Sequence, residues 1–175
     1  CIGWWNTFPV EEISGVMVAQ TNTPIPPDVE ADRGIRKGSI LQNVDGQVWP
    51  ETRQSEVMSI AEKIEGELDA FAETTFGTFE HDLAELDRRL WENTRWSLRA
   101  DAIYLNVAER ILSSEEPYDL RALYLGSPDV TGHRFWRYMH PQEFSQPPTS
   151  EQIAEFGGII PDNYRWLDRA IASLL

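Results

Sequence analysis

Apolar residues recur every three or four positions through the middle of the chain, which is the spacing of an amphipathic helix. From Ser55 onward this first stripe comprises Val57, Ile60, Ala61, Ile64 and Leu68. A second stripe predicts a helix over residues 94–113, with Thr94 at its start, and comprises Leu98, Ala102, Leu105, Ala108 and Leu112. The many acidic residues between positions 62 and 92 are interpreted as the solvated faces of these helices.

Short apolar runs on either side of the helical region have the composition of buried strands. We predict strands at Ile13–Ala19 and Leu120–Leu125, the first within a strand-and-loop segment over residues 1–50. A long helix that leads into a strand is an αβ unit and favours a parallel sheet. We therefore expect an α/β fold: a mostly parallel sheet with flanking helices, in which residues 52–113 form a helical insertion.

The last part of the chain, residues 118–175, is predicted to hold one strand followed by helices. One helix begins near Thr149-Ser150 and ends at Gly157-Gly158, and the next has Pro161 in its first turn, where proline is favoured. That last helix carries Tyr164, Leu167, Ile171 and Leu174 on one face.

Composition and charge restrict the function classes. The 175 residues are 41% hydrophobic and carry 29 acidic against 15 basic side chains, a net charge of −14. Such an excess repels phosphates, so we expect neither a nucleic-acid nor a membrane partner. A substrate that contains phosphate then needs a bound cation. A single cysteine excludes an internal disulfide and does not indicate a compartment.

The candidate chemistry lies directly after the predicted strand at Leu120–Leu125. Asp129 and His133 are four residues apart in a segment that begins Ser127-Pro128, a typical helix start. Their β-carbons would be about 5–6 Å apart, so a carboxylate and an imidazole could share one ion, for which zinc is better suited than calcium. By spacing alone the metal interpretation is weak, because the helix dipole favours an aspartate at a helix start and a histidine four residues later is common.

Three segments resemble the type I phosphodiesterase/nucleotide pyrophosphatase family of the alkaline phosphatase superfamily. Residues 122–141 read A-L-Y-L-G-S-P-D-V-T-G-H-R-F-W-R-Y-M-H-P, similar to the family's strand, glycine and Asp-x-x-Gly/Ser-His motif. Residues 3–9, G-W-W-N-T-F-P, and 15–18, G-V-M-V, resemble its G-W-W-x-T-x-P…G-V-x-V stretch. Residues 156–175 resemble its later helix, whereas residues 20–93 match loosely.

The resemblance implies that Asp129 and His133 are two ligands of one of the family's two zinc ions, with other divalent transition metals also accepted. The family's nucleophilic Thr or Ser precedes the G-W-W stretch, and its later Asp-His pair belongs to a Ser-Asp-His-Gly motif. Neither region occurs in this sequence. We therefore expect no catalytic residue here and interpret residues 1–175 as an internal part of one hydrolase domain. Pro128 and Ala19-Gln20 depart from the family pattern.

The expected function is metal-dependent hydrolysis of a small-molecule phosphoester, with this chain inactive by itself. Exposed sheet edges are expected to promote self-association. The alternative is a non-catalytic helical interaction module or excised fragment.

Four other residues have a structural interpretation that we favour over a functional one. We expect Trp4 and Trp5 in the core rather than in a substrate groove. We expect Ser127 to be a helix N-cap rather than a nucleophile, and His140 to be a surface or turn residue rather than a ligand.

Overall fold

The computed structural model describes residues 1–4, 7–20, 44–77, 85–112 and 117–175. Of these residues about 65% are helical, and a three-stranded sheet accounts for about 7%. The α-helices are α1 (Gln54–Phe76), α2 (Glu85–Glu92), α3 (Arg95–Leu112), α4 (Ser127–Met139), α5 (Ser150–Phe156) and α6 (Ile159–Leu174). The strands are β1 (Ile2–Trp4), β2 (Met17–Ala19) and β3 (Val48–Trp49).

The chain divides into two compact units, which share the long helices α1 and α3. Unit 1 comprises Cys1–Glu67 and Arg99–Leu125, and unit 2 comprises Leu68–Leu98 and Gly126–Leu175. All three strands therefore belong to unit 1, and α4, α5 and α6 belong to unit 2.

The sheet of unit 1 is small and mixed, in the order β1-β2-β3. β1 and β2 are parallel, with Ile2 opposite Val18, whereas β2 and β3 are antiparallel. Leu123 adds an isolated parallel bridge on the other side of β1. There the Ile2 amide donates to the Ala122 carbonyl at 2.8 Å. The Tyr124 amide donates to the Ile2 carbonyl at 3.0 Å.

The predicted α/β fold with a mostly parallel sheet is wrong, because helices dominate the described residues. Of the predicted strand Ile13–Ala19 only Met17–Ala19 pairs, after a turn at Gly15. Of Leu120–Leu125 only Leu123 forms a bridge, and Leu120 is 81% exposed. Apolar runs of this length show that a segment is compatible with a strand, but strands need paired neighbours to continue.

The helical stripes are the part of the pattern that the structure confirms. Within unit 1, α1 buries Val57, Ala61 and Ile64 at the predicted spacing. α3 buries more than the predicted stripe, since Ile103, Tyr104 and Val107 are also almost fully covered. A helix covered on several faces lies inside a unit instead of on its surface.

Glu56 connects three segments of unit 1 through ion pairs. Its Oε1 accepts from Arg110 Nε of α3 at 2.8 Å, and its Oε2 accepts from Arg53 Nη1 at 3.0 Å. These two hydrogen bonds, first the one from Arg110, lower the pKa of the Glu56 carboxyl below its ordinary value. The carboxylate therefore stays ionised when it joins α1 to α3.

Unit 2 is a helical unit with an aromatic core. The rings of Phe135 and Phe156 are 5.6 Å apart, and those of Tyr138 and Phe156 are 5.1 Å apart. The cluster of buried residues comprises Ala72, Trp91, Leu98, Phe135, Tyr138, Phe156, Ile159 and Ile160. α5 begins at the predicted place, because Thr149 and Gln152 form a reciprocal capping box.

The apolar face of α6 that the sequence pattern shows is not its buried face. Tyr164 and Ile171 are about half exposed, and the helix instead buries a face comprising Ile159, Ile160, Asn163, Trp166 and Ala170. Both faces carry apolar residues at helical spacing, so the sequence pattern did not distinguish them. Across the ranges that the structure describes, no helix combines the length and apolar character needed to cross a membrane.

Gly3 provides a direct test of the packing in unit 1. Its φ of +68° is a conformation that residues with a β-carbon avoid, and a β-carbon there would lie 2.6 Å from Tyr104 Cδ2. We expect Gly3→Ala to lower the free energy of unfolding by about 2–4 kcal/mol, from backbone strain and overpacking together. Urea unfolding followed by circular dichroism measures this loss.

Gly66→Ala is the matched control for Gly3→Ala. Gly66 lies within α1, and a β-carbon there would have no atom within 4 Å. Alanine is the better helix former, so this substitution should stabilise the protein by about 0.5–1 kcal/mol. Equal effects of the two substitutions would contradict the close packing of Gly3 on Tyr104.

Candidate metal site

The candidate site lies at the start of α4, in unit 2. Gly126 is the N-cap and Ser127 the first helical residue, so the prediction of Ser127 as the N-cap is wrong by one position. Ser127 is fully buried and its hydroxyl donates to Asn163 Oδ1 at 3.1 Å. This serine is thus a packing residue of the first turn. Pro128 follows within that turn, where proline leaves no hydrogen bond unmade.

Asp129 and His133 lie on the same solvent-facing side of α4. His133 Nε2 is 3.4 Å from Asp129 Oδ1, and the two side chains are 80% and 59% exposed. The helix brings them together because residues four positions apart are neighbours on its surface. The carboxylate and the imidazole thus converge at a separation that one ion can bridge, as the metal interpretation requires.

The separation of the two donor atoms fits a tetrahedral ion. With metal–ligand bonds of about 2.1 Å, two ligands of such an ion are about 3.4 Å apart, which is the observed distance between Oδ1 and Nε2. Oxygen and imidazole nitrogen are also ligand types that zinc accepts. The pair therefore fits two of the four positions around one zinc ion.

The rest of a metal site is not found among the described residues. No group of three or more His, Cys, Asp or Glu side chains suitable for an ion occurs in the ranges that the structure describes. The structure therefore brings Asp129 and His133 together and adds no third candidate ligand among the described residues.

His140 lies on the same side of α4 but belongs to a different contact. Its ring packs against Trp136, with 4.4 Å between the ring centroids, and Trp136 Nε1 donates to Glu143 Oε2 at 2.9 Å. Seven residues separate His140 from His133, or about 10 Å along the helix axis. A single ion therefore does not reach both histidines. His81 lies outside the described residues.

Trp4 is exposed rather than buried, so its predicted place in the core is wrong. It is 48% exposed, and its ring contacts Tyr124 edge-to-face at 5.7 Å. The Thr7 hydroxyl donates to the Trp4 carbonyl at 2.6 Å. Trp5 and Asn6 lie outside the described residues.

Asn163 is the residue near the site that the sequence reasoning missed. Its side chain is fully buried between Ser127 and Thr131 of α4, although asparagine is usually exposed. A signal was present: Asn163 falls at helical spacing with Ile159, Trp166 and Ala170. That spacing places a polar side chain on an apolar face.

The ionisable group on the buried side of α4 is Tyr138. Burial raises the pKa of its phenol above the ordinary value, and the negative charge of Asp87 adds to the effect. Its hydroxyl therefore stays protonated, and we assign it to the aromatic core instead of to acid–base chemistry.

Comparison of the chain with protein-family models, with curated proteins and with solved structures found no significant match.

Zinc binding at the pair is directly measurable. We expect Zn²⁺ to shift the imidazole ¹⁵N resonances of His133, because an ion on Nε2, the nitrogen that faces Asp129, displaces its proton and leaves the ring proton on Nδ1. His133→Ala removes the signal, and Asp129→Asn should weaken the binding of Zn²⁺ by about tenfold or more, because half of the ligand pair is lost.

Matched controls separate this binding from general attraction to an acidic protein. Asp162→Asn removes the same charge from the first turn of α6, where the carboxylate pairs with Arg165. His140→Ala removes a histidine from the end of α4. Neither should change the response of His133, and an equal loss in Asp162→Asn would contradict a specific site.

Proposed function

We propose that this chain contributes part of a zinc site to a phosphoester hydrolase of the type I phosphodiesterase/nucleotide pyrophosphatase kind. Asp129 and His133 hold the ion in this proposal, and the substrate is a small-molecule phosphoester. The proposal extends the resemblance of residues 122–141, which contain both ligands.

The observation that carries the proposal is the 3.4 Å between Asp129 Oδ1 and His133 Nε2 on an exposed helix face. A carboxylate beside a histidine on a helix is often an ordinary ion pair of little energetic value. Here the same two residues occupy the ligand positions of the resembling motif, and their donor atoms have the separation that one tetrahedral ion needs. The motif supplies the identity of the two ligands, and the helix supplies the separation of their donor atoms.

The charge of the protein supports a role for a cation. A net charge of −14 opposes the approach of an anionic phosphoester, and a divalent ion offsets that repulsion locally. A zinc ion bound there supplies a positive charge for a phosphoryl oxygen and lowers the pKa of a bound water. Asp129 and His133 orient the ion because both are fixed to one rigid helix.

The support for the proposal comes from the Asp129–His133 pair and its motif, and the fold supplies none. The resemblance implied a mostly parallel sheet, and the described residues form a mostly helical structure instead. The proposal also places the nucleophile and the remaining ligands in regions of the family that have no counterpart in residues 1–175. In this proposal the chain supplies one pair of ligands rather than a complete centre.

The proposal predicts that residues 1–175 alone do not hydrolyse p-nitrophenyl phosphodiesters, even with Zn²⁺ present. A two-ligand site without a nucleophile lacks the groups that attack phosphorus and stabilise the leaving oxygen. Release of p-nitrophenol is the measurement. Turnover that disappears in His133→Ala would show that the catalytic residues have been misplaced.

A second candidate function, a non-catalytic helical interaction module, has support from α6. Tyr164 and Ile171 form an exposed apolar stripe with the half-buried Leu167 and Leu174. Exposed apolar stripes often mark surfaces for protein partners. The two candidates differ in the helix on which they depend, α4 for the hydrolase and α6 for the module.

Self-association of the chain tests the second candidate. If the stripe binds a second copy, sedimentation should show a dimer that Ile171→Glu disrupts, because a charge in an apolar contact is costly. Ala172→Glu, which adds the same charge to an exposed neighbouring position, should leave the dimer intact. A chain that stays monomeric at all concentrations contradicts this form of the interaction module.

A further inference from the structure

The side of α4 that faces away from Asp129 and His133 carries a closed ring of hydrogen bonds. Ser127 Oγ donates to Asn163 Oδ1 at 3.1 Å, and Asn163 Nδ2 donates to Thr131 Oγ1 at 3.0 Å. Thr131 Oγ1 in turn donates to the Ser127 carbonyl at 2.9 Å. All three side chains are fully buried. The ring joins α6 to the first two turns of α4.

This ring and the candidate metal ligands occupy the same two helical turns. Ser127 and Thr131 are four residues apart, as are Asp129 and His133, and the two pairs are offset by two residues. Two residues of an α-helix correspond to a rotation of about 200°, so the pairs lie on nearly opposite faces. The buried pair fixes the rotation of the segment that presents the exposed pair.

We propose that Asn163 is a positioning residue for the Asp129–His133 metal pair. This inference rests on the proposed function of the pair. The carboxamide of Asn163 keeps the first two turns of α4 helical, and the helix in turn sets the separation of Oδ1 and Nε2 that one ion needs. Residues behind metal ligands commonly set affinity through such orientation.

Asparagine has the chemistry that this position needs. Its carboxamide offers an acceptor to Ser127 and a donor to Thr131 at the same time. An aspartate lacks the donor, and a leucine of similar volume lacks both groups. The leucine breaks both hydrogen bonds to α4, whereas the aspartate keeps the acceptor for Ser127 and loses the donor to Thr131. In either case the segment gains freedom to shift.

The test measures the affinity of the pair for Zn²⁺ through the ¹⁵N resonance of His133 Nε2, well below the unfolding temperature of each variant. We expect Asn163→Leu to weaken Zn²⁺ binding by about tenfold, the lower end of the range for residues that orient metal ligands. Thr131→Val removes the other end of the same hydrogen bond with little change of shape. Thr131→Val should weaken Zn²⁺ binding to a similar extent, and it replaces Asn163→Leu in the test if that variant does not fold.

The double variant Asn163→Leu/Thr131→Val distinguishes a shared contact from two separate effects. Because both substitutions break one network, their combined effect on affinity should be no larger than that of Asn163→Leu alone. Additive losses of affinity would contradict the idea that the ring acts as one anchor.

Gln152→Ala is the control for a general loss of stability. Gln152 Nε2 donates to both carboxylate oxygens of the buried Asp87, also within unit 2 but away from the first turns of α4. This variant should lower the melting temperature without changing the affinity for Zn²⁺. If Gln152→Ala weakens Zn²⁺ binding as much as Asn163→Leu does, Asn163 has only a structural role.

The outcomes for the ligand pair and for Asn163 are separable. If the unsubstituted chain shows no response of His133 to Zn²⁺, the metal pair itself is wrong, and the positioning role falls with it. If the unsubstituted chain binds Zn²⁺ and the Asn163 and Thr131 variants bind it equally well, the pair stands and the positioning role is overturned.

Discussion

Four side chains on one face of α4 are buried, namely Ser127, Thr131, Phe135 and Tyr138, and their burial determines where the candidate chemistry lies. Phe135 and Tyr138 pack against Phe156 in the aromatic core, and Ser127 and Thr131 bond to Asn163. A rigid helix held on one face has no freedom to rotate. Asp129 and His133 therefore face solvent because of contacts made on the other side of the helix.

Unit 1 depends on a different constraint, the close approach of β1 to α3. Gly3 leaves the space that the ring of Tyr104 occupies, and the Tyr104 hydroxyl donates to the Ala19 carbonyl of β2 at 3.4 Å. One aromatic side chain thus contacts two neighbouring strands. A sheet of only three short strands has few ladder hydrogen bonds of its own, so packing on a helix is needed to stabilise it.

The two candidate functions draw on different kinds of surface. The metal pair consists of two polar side chains whose donor atoms converge, whereas the α6 stripe is an apolar face without a specific geometry. Convergent donors carry more information about function, because their separation must match an ion before they bind it. In the proposed hydrolase, the acidity of the chain would give such an ion a further role, since the ion would offset the repulsion of an anionic substrate.

The sequence by itself determined the local structure that depends on near neighbours. The period of Val57, Ala61 and Ile64 predicted α1, and Thr149-Ser150 predicted the start of α5. The four-residue spacing predicted the approach of Asp129 to His133. In each case the interacting groups lie within two helical turns, so periodicity and capping chemistry are sufficient to predict the local structure.

Tertiary structure alone decided which segments pair and which faces are covered. Leu120–Leu125 has strand composition but pairs only at Leu123, and α6 buries Asn163 and Trp166 instead of the stripe with Tyr164. Both outcomes depend on partners distant in the chain: β1 for Leu123, and α4 for Asn163. A one-dimensional pattern records whether a face is apolar, but burial requires a second surface that only the folded chain supplies.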